Sequence, residues 1–452
     1  MTRTALSTLF LLAAVSAAQT KPATPSGPTS SQSTPTQTRP AAPSSAAPNK
    51  EFLAAMDALK EGRLDAAEPV LTKLLKAAPE NADYNLGMGT LLAMKGQTPV
   101  ALPLLEKSVK IKPSAQSYAT LGAAYADLGR GEDAVAALRK SLSLEPGNLA
   151  SNFNLAAIYI QMNAFAEAQP LLEKVVKARP AEPEPTYLLA LCYSALNQPA
   201  QARTVLLKLP VKVRDSEQVL LLLSSNSAAL GENKESRKYL ERALELNPAS
   251  VAVMANLGAL LVHDGERDRG LEMLERAWKT DKTSYLAGMS LAQADYDAAK
   301  FDGARDVLAS LLTKGESPDI YTLLGNVEDA LKNHDKAVVY LSRAAELDPS
   351  EHSQFAVGYS QLQAGKADLA ENAFRAALEK LPLSAELRMG LGAAYLAENK
   401  SQQAVQTLQP FSTKEDKPNP LGVRLYELAQ QSLAGTRDDV KIKQAIADLK
   451  PR

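Results

Sequence analysis

The sequence predicts an all-α fold built as an array of helix–turn–helix repeats, and three observations carry that prediction. Hydrophobic residues make up 45% of the 452 residues but aromatics only 5%, a balance that favours helix over β-sandwiches and barrels. Prolines fall at Pro79, Pro113, Pro146, Pro180, Pro248, Pro349 and Pro382, at intervals of 34, 33, 34, 68, 101 and 33, all close to multiples of 34. Other residues recur in phase with them, as in Tyr118, Leu121, Gly122, Tyr125, Gly129, Ala134, Leu138 and Pro146, or Leu391, Gly392, Tyr395, Ala404 and Leu408.

Taken in order, residues 1–18 come first. Arg3 precedes an uncharged run from Ala5 to Ala18 that closes on Ser16, Ala17 and Ala18. That basic, apolar and small-residue order is the pattern of an export signal peptide. The run is shorter than the ~20 apolar residues needed to span a bilayer, so a cleaved signal and an extracytoplasmic, most simply periplasmic, mature protein are expected. No later segment is long and apolar enough to span.

Residues 19–49 are mostly Pro, Ser, Thr and Ala, with no acidic or aromatic residue. Such a stretch buries too little apolar surface to offset its ordering entropy, and reads as a disordered linker. Residues 50–418 carry the repeat. A small residue stands at repeat position 8 (Gly89, Gly122, Ala156, Gly258, Gly325, Gly358, Gly392) and another at position 20 (Ala67, Ala101, Ala134, Ala168, Ala202, Ala337, Ala370). Small side chains let two helices approach closely, larger ones at positions 7, 11 and 24 fill the space, and the proline stops the second helix. After Pro418 the pattern changes: Leu421, Leu425, Leu428 and Ala429 mark one helix, and Val440 to Leu449 a shorter, charged one. Residues 419–452 therefore read as a capping pair with a polar outer face.

These residues resemble the tetratricopeptide repeat, a 34-residue helix–turn–helix unit. Phasing on them gives about eleven repeats, beginning near residues 48, 82, 115, 149, 183, 217, 251, 285, 318, 351 and 385. The resemblance implies a right-handed superhelical solenoid. Departures exist: the Trp of position 4 is absent throughout, and the eighth unit has Asp295 where Tyr is expected. Pro69, Pro103 and Pro170 share one place early in second helices, where a bend is expected rather than a break.

Chemistry is mostly absent from the sequence. One Cys rules out an internal disulfide framework and thiolate-rich zinc sites, and three His in separate repeats lie in no H-E-x-x-H setting. No phosphate-loop motif occurs, and Gly390 and Gly392 sit inside a repeat helix with no strand before them. Cys192 and Trp278 read as core residues. Fifty basic against 51 acidic residues give no pull towards nucleic acid. No enzyme, cofactor or metal is expected.

The resemblance implies that first helices line a concave groove and that positions 2, 5, 6, 9 and 12 meet the ligand. In this sequence the third repeat places Gln116, Ala119, Thr120, Ala123 and Ala126 there. The partner-binding candidates are Phe153, Asn154, Tyr187, Asn256, Asn326, Phe355 and Tyr359, with exposure favoured for the four aromatics. An apolar groove suits a partner's amphipathic helix or hydrophobic peptide. The expected function is an exported scaffold for protein partners of the cell envelope. A periplasmic component of a polysaccharide-export or pilus assembly machine is one alternative, and a structural wall-associated protein another.

Overall fold

The computed structural model describes residues 49–412 and 419–450; the stretch expected to be a signal and nearly all of the expected linker lie outside the described residues. Among those described there are twenty-five α-helices, one 3₁₀ turn and no strand. They divide into two compact units, one ending at Leu246 and one beginning at Asn247. The first holds repeats one to six, and the second holds repeats seven to eleven and two further helices.

The phase of the repeat is written in the backbone. Gly62, Gly96, Gly129, Asn163, Asn197, Gly231, Gly265, Ala299, Lys332, Gly365 and Asn399 all have positive φ, and each is the fifteenth residue of its repeat. This residue closes the first helix. In the second repeat the Gln97 amide donates to the Leu92 carbonyl (2.9 Å) and the Gly96 amide to the Ala93 carbonyl (2.9 Å), so the left-handed residue satisfies carbonyls the helix would otherwise orphan. Glycine adopts that conformation without penalty, whereas Ala299 (φ 59°) and Lys332 (φ 64°) do so against a Cβ clash. Lys332→Gly is therefore expected to stabilise the second unit by about 1 kcal/mol, read as a higher denaturation midpoint; an unchanged or lowered midpoint would contradict the assignment.

Most first helices begin on a side-chain cap; those starting after Glu182, Ser216 and Ser317 do not. Asn81 accepts from the amides of Asp83 and Tyr84, Ser114 forms a reciprocal box with Ser117, and Ser250, Ser284, Ser350 and Ser384 each accept an amide three residues on. The helices containing Pro69, Pro103 and Pro170 run on unbroken. Pro210 has a stronger effect. It ends the fifth repeat early, so the second helix is only Pro199–Leu206, followed by the short Val211–Arg214.

Inside each repeat, the residue at position 24 drops into the hollow left by position 8. A Cβ added at Gly89, Gly122, Gly325 or Gly392 would lie 2.5–2.6 Å from Leu105, Leu138, Leu341 or Leu408. These four leucines are almost wholly buried. The sixth repeat replaces the small pair with Ser224 and Ser236, whose hydroxyls meet at 2.8 Å, so a buried hydrogen bond joins the helices there. Asp295 is buried beside Gly303. Burial holds its carboxyl above the usual aspartate range, Lys300 pulls against it and Glu275 adds to it. A carboxyl with a folded pKa above its unfolded one weakens the fold once ionised, and that penalty fades as pH falls through the folded value and is gone below the unfolded one. Asp295→Asn is expected to raise Tm at pH 7 and to leave it unchanged near about pH 3.5. An equal effect at both pH values would rule out the charge as its cause.

Candidate functional site

In the first unit, the first helices of repeats two to four enclose a cleft of about 450 Å³. Its walls are Thr90, Ala93 and Met94 from Ala82–Met94, then Gln116, Ala119, Thr120 and Ala123 from Ala115–Asp127, and Ala150 and Asn154 from Leu149–Gln161. Thr98 and Asp127, joined by a hydrogen bond, also line it. Alanine and threonine make the walls because longer side chains at those positions would fill the gap. The result is an apolar floor with amides at its edge, and Asn154 makes no side-chain hydrogen bond among the described residues. Such a cleft can take an apolar side chain and hydrogen-bond the backbone that carries it.

Phe153, one residue from Asn154, is half-buried against the core of the fourth repeat and does not line the cleft. Tyr187 is half-buried against Ala190, Leu206 and Val219, and burial pushes its hydroxyl pKa up. Thr90, Ala93 and Met94 were missed by the sequence reading, although the same phase carried one repeat earlier marks the first two as positions 9 and 12. Met94 is 48% exposed, an unusual amount for so large an apolar side chain.

In the second unit, Asn326 is half-buried and Asn256 is buried. Phe355 corrects the expectation of an exposed aromatic: it is 3% exposed, with its ring 5.6 Å from that of Phe374. Phe374 stands at position 24, where the other repeats have leucine, and its larger ring packs directly on Phe355. Tyr359 stacks on Phe355 at 6.2 Å and stays half-buried, its hydroxyl donating to the Ala447 carbonyl (3.4 Å). Burial, with the charges of Asp329 and Asp448, pushes its pKa to about 12. The four aromatics therefore pack with the cores of their units rather than standing free.

Asp329, His334 and Ser360 do converge. Asp329 accepts from the Ser360 hydroxyl (2.9 Å), and His334 Nδ1 lies 2.9 Å from the same carboxylate oxygen. A nucleophilic triad needs the imidazole between hydroxyl and carboxylate. Here the carboxylate stands between them and the serine is fully buried, so the histidine is not in place to take its proton. Asp319 likewise accepts from the Tyr285 hydroxyl (3.1 Å), and the acidic groups of the ninth repeat are thus partnered internally. Cys192 is fully buried and its thiol is pushed up to about 11, so it is not a thiolate at neutral pH. Among the described residues no His, Cys, Asp or Glu group could hold a metal, and no helix is long and apolar enough to cross a membrane.

A regular all-α array of paired helices, with a cleft on the first-helix face of repeats two to four, defines a helical-repeat protein. Tetratricopeptide repeat models match residues 52–116, 125–176, 162–225, 217–250, 289–352 and 361–420, and the chain belongs to the tetratricopeptide repeat family. A curated relative, cell division cycle protein 27 homolog A of Arabidopsis thaliana, is 30% identical over 107 residues, which are 24% of this chain and 15% of that protein. The chain thus spans only a small part of that relative's length. Among solved structures, the Cut9–Hcn1 hetero-tetramer of APC/C is similar at 12% identity and a TM-score of 0.43, covering 83% of this chain and 95% of that one. Naa15/Naa10 bound to HypK-THB is similar at 17% identity and 0.35, covering 88% and 75%. A human IFIT1 dimer with PPP-AAAA is similar at 17% identity and 0.42, covering 79% and 88%.

Proposed function

We propose that this chain is an exported, non-catalytic scaffold that docks protein partners of the cell envelope on the first-helix face of its repeats. The observation that carries the docking reading is the cleft between repeats two and four, with small apolar walls and the Gln116 and Asn154 amides beside it. The export reading rests on the basic, apolar and small-residue order of residues 1–18. Tetratricopeptide repeats act generally as non-catalytic interaction modules.

Site-specific photo-crosslinking in the native envelope tests it, with probes at Thr120 and Asn154 and a control at the exposed Lys177 on a second helix. Discrete products from the first two probes alone are expected, and Thr120→Trp, which fills the cleft, is expected to cut the Asn154 product at least about tenfold without changing helix content. Products from Lys177 alone would move binding to the other face, and none from any probe would sink the docking reading. Recovery of the chain in the cytoplasmic fraction with its first 18 residues intact would sink the export reading.

A further inference from the structure

The two helices after the eleventh repeat do different jobs. The penultimate helix, Pro420–Leu433, packs on both helices of that repeat and so covers its open side. The final helix, Asp439–Ala447, does not follow as an ordinary second helix. Gly435 has positive φ and holds the place of Gly265 and Gly365 in earlier turns. Counted from it, Leu428 falls at position 8, Val440 at position 20 and Gln444 at position 24. The hollow is filled, the residue that should enter it is polar, and Val440 is 78% exposed.

What the final helix buries lies on another side. Ile442, Ala445, Ile446 and, just past its end, Leu449 are buried, at the i, i+3, i+4, i+7 spacing of one helical face. The final helix packs on the first helix of the eleventh repeat, Ala385–Ala397, and equally on the penultimate helix, and the Ala447 carbonyl accepts from Tyr359 of the tenth repeat. Of positions 9 and 12 beneath, Ala393 and Leu396 are 0% exposed and Leu362 8%, while Tyr359 stays half-buried. The same positions in the third and fourth repeats, Ala123, Ala126, Ala157 and Ile160, are all half-exposed.

We propose that the first-helix face of the tenth and eleventh repeats is a docking site for an amphipathic helix, and that the final helix is its resident, displaceable occupant. This deepens the scaffold reading and rests on it, by adding regulation: a partner helix must displace the chain's own. Nine helical residues are too few to persist alone in water, so undocking releases the segment as coil. Its polar ties among the described residues are few: the half-exposed Arg424–Asp448 pair, the long Tyr359 hydrogen bond, and the Arg437 guanidinium on the Leu396 carbonyl and the Asn399 side-chain oxygen. The turn at Gly435 supplies a hinge.

The test uses the full chain and a labelled synthetic peptide of residues 436–450. The Ile446→Asp chain is expected to bind the peptide at least about tenfold more tightly than the wild-type chain, whose own helix competes at high effective concentration. In the wild-type chain, amides of Asp439–Ala447 are expected to exchange at least about tenfold faster than those of Pro420–Leu433. Peptide binding that is absent or equal in a variant whose repeats stay protected would overturn the proposal. If the variant unfolds, the wild-type exchange decides alone: equal protection of the two helices would mean a fixed cap. The probes at Thr120 and Asn154 lie in the other unit, so failure here and failure of the scaffold reading are told apart.

Discussion

Replacing Phe374 by alanine is expected to cost the second unit about 3–5 kcal/mol, the most of any single truncation in it. Phe374 is fully buried, and three first-helix residues form its socket. A Cβ at Gly358 would lie 2.6 Å from its Cζ, and one at Gly390 would lie 2.4 Å from its Cε1, while Phe355 packs at 5.6 Å. The ring therefore fills two hollows in successive repeats, at position 8 of its own and position 6 of the next. Neither glycine can send a side chain into the vacancy, so the cavity should stay open. Since stability in repeat arrays is local, the measurement is hydrogen exchange in the tenth and eleventh repeats, with protection expected to fall about a hundredfold or more. Unchanged protection would mean that the helices close the gap.

Gly270→Val is expected to cost about 3 kcal/mol through the opposite fault, crowding. A Cβ at Gly270 would lie 2.6 Å from Val262 Cγ2, 2.7 Å from the Gly258 carbonyl oxygen and 2.8 Å from the Val262 nitrogen. Two of these atoms are backbone and cannot rotate away, so helices Val251–His263 and Arg267–Thr280 must separate. Gly131→Ala, where nothing lies within 4 Å, is the control and should be neutral or slightly stabilising. Equal effects of the two substitutions on the denaturation midpoint would show that close approach is not what Gly270 provides.

The repeat and its phase were legible because they are set by local chemistry. Prolines, small pairs and apolar marks place all eleven turns, and the left-handed residues fall at one position even where Asn, Ala or Lys stands for glycine. In the seventh repeat Gly270 stands where most repeats have alanine at position 20, and only the backbone distances give the reason. The site was less legible. Sequence gives the position of Phe355 but not that the larger ring at Phe374 reaches it. It also gives a final helix that has lost the repeat pattern, without saying which face that helix then covers. The cleft was half visible, since Gln116, Thr120, Ala123 and Asn154 were in phase but the wall from Thr90 to Met94 was passed over.

The pairing of position 8 with position 24 also bears on inheritance. Each filler and its hollow are encoded within the same repeat, as Leu105 with Gly89 and Leu138 with Gly122. Unequal recombination that removes or copies one 34-residue stretch between equivalent positions returns every such pair intact, including the matched serines of the sixth repeat and the paired glycines of the seventh. Array length can therefore drift between generations with little penalty in folding, whereas Phe374 and Gly390, which bind two repeats together, must be inherited as one block.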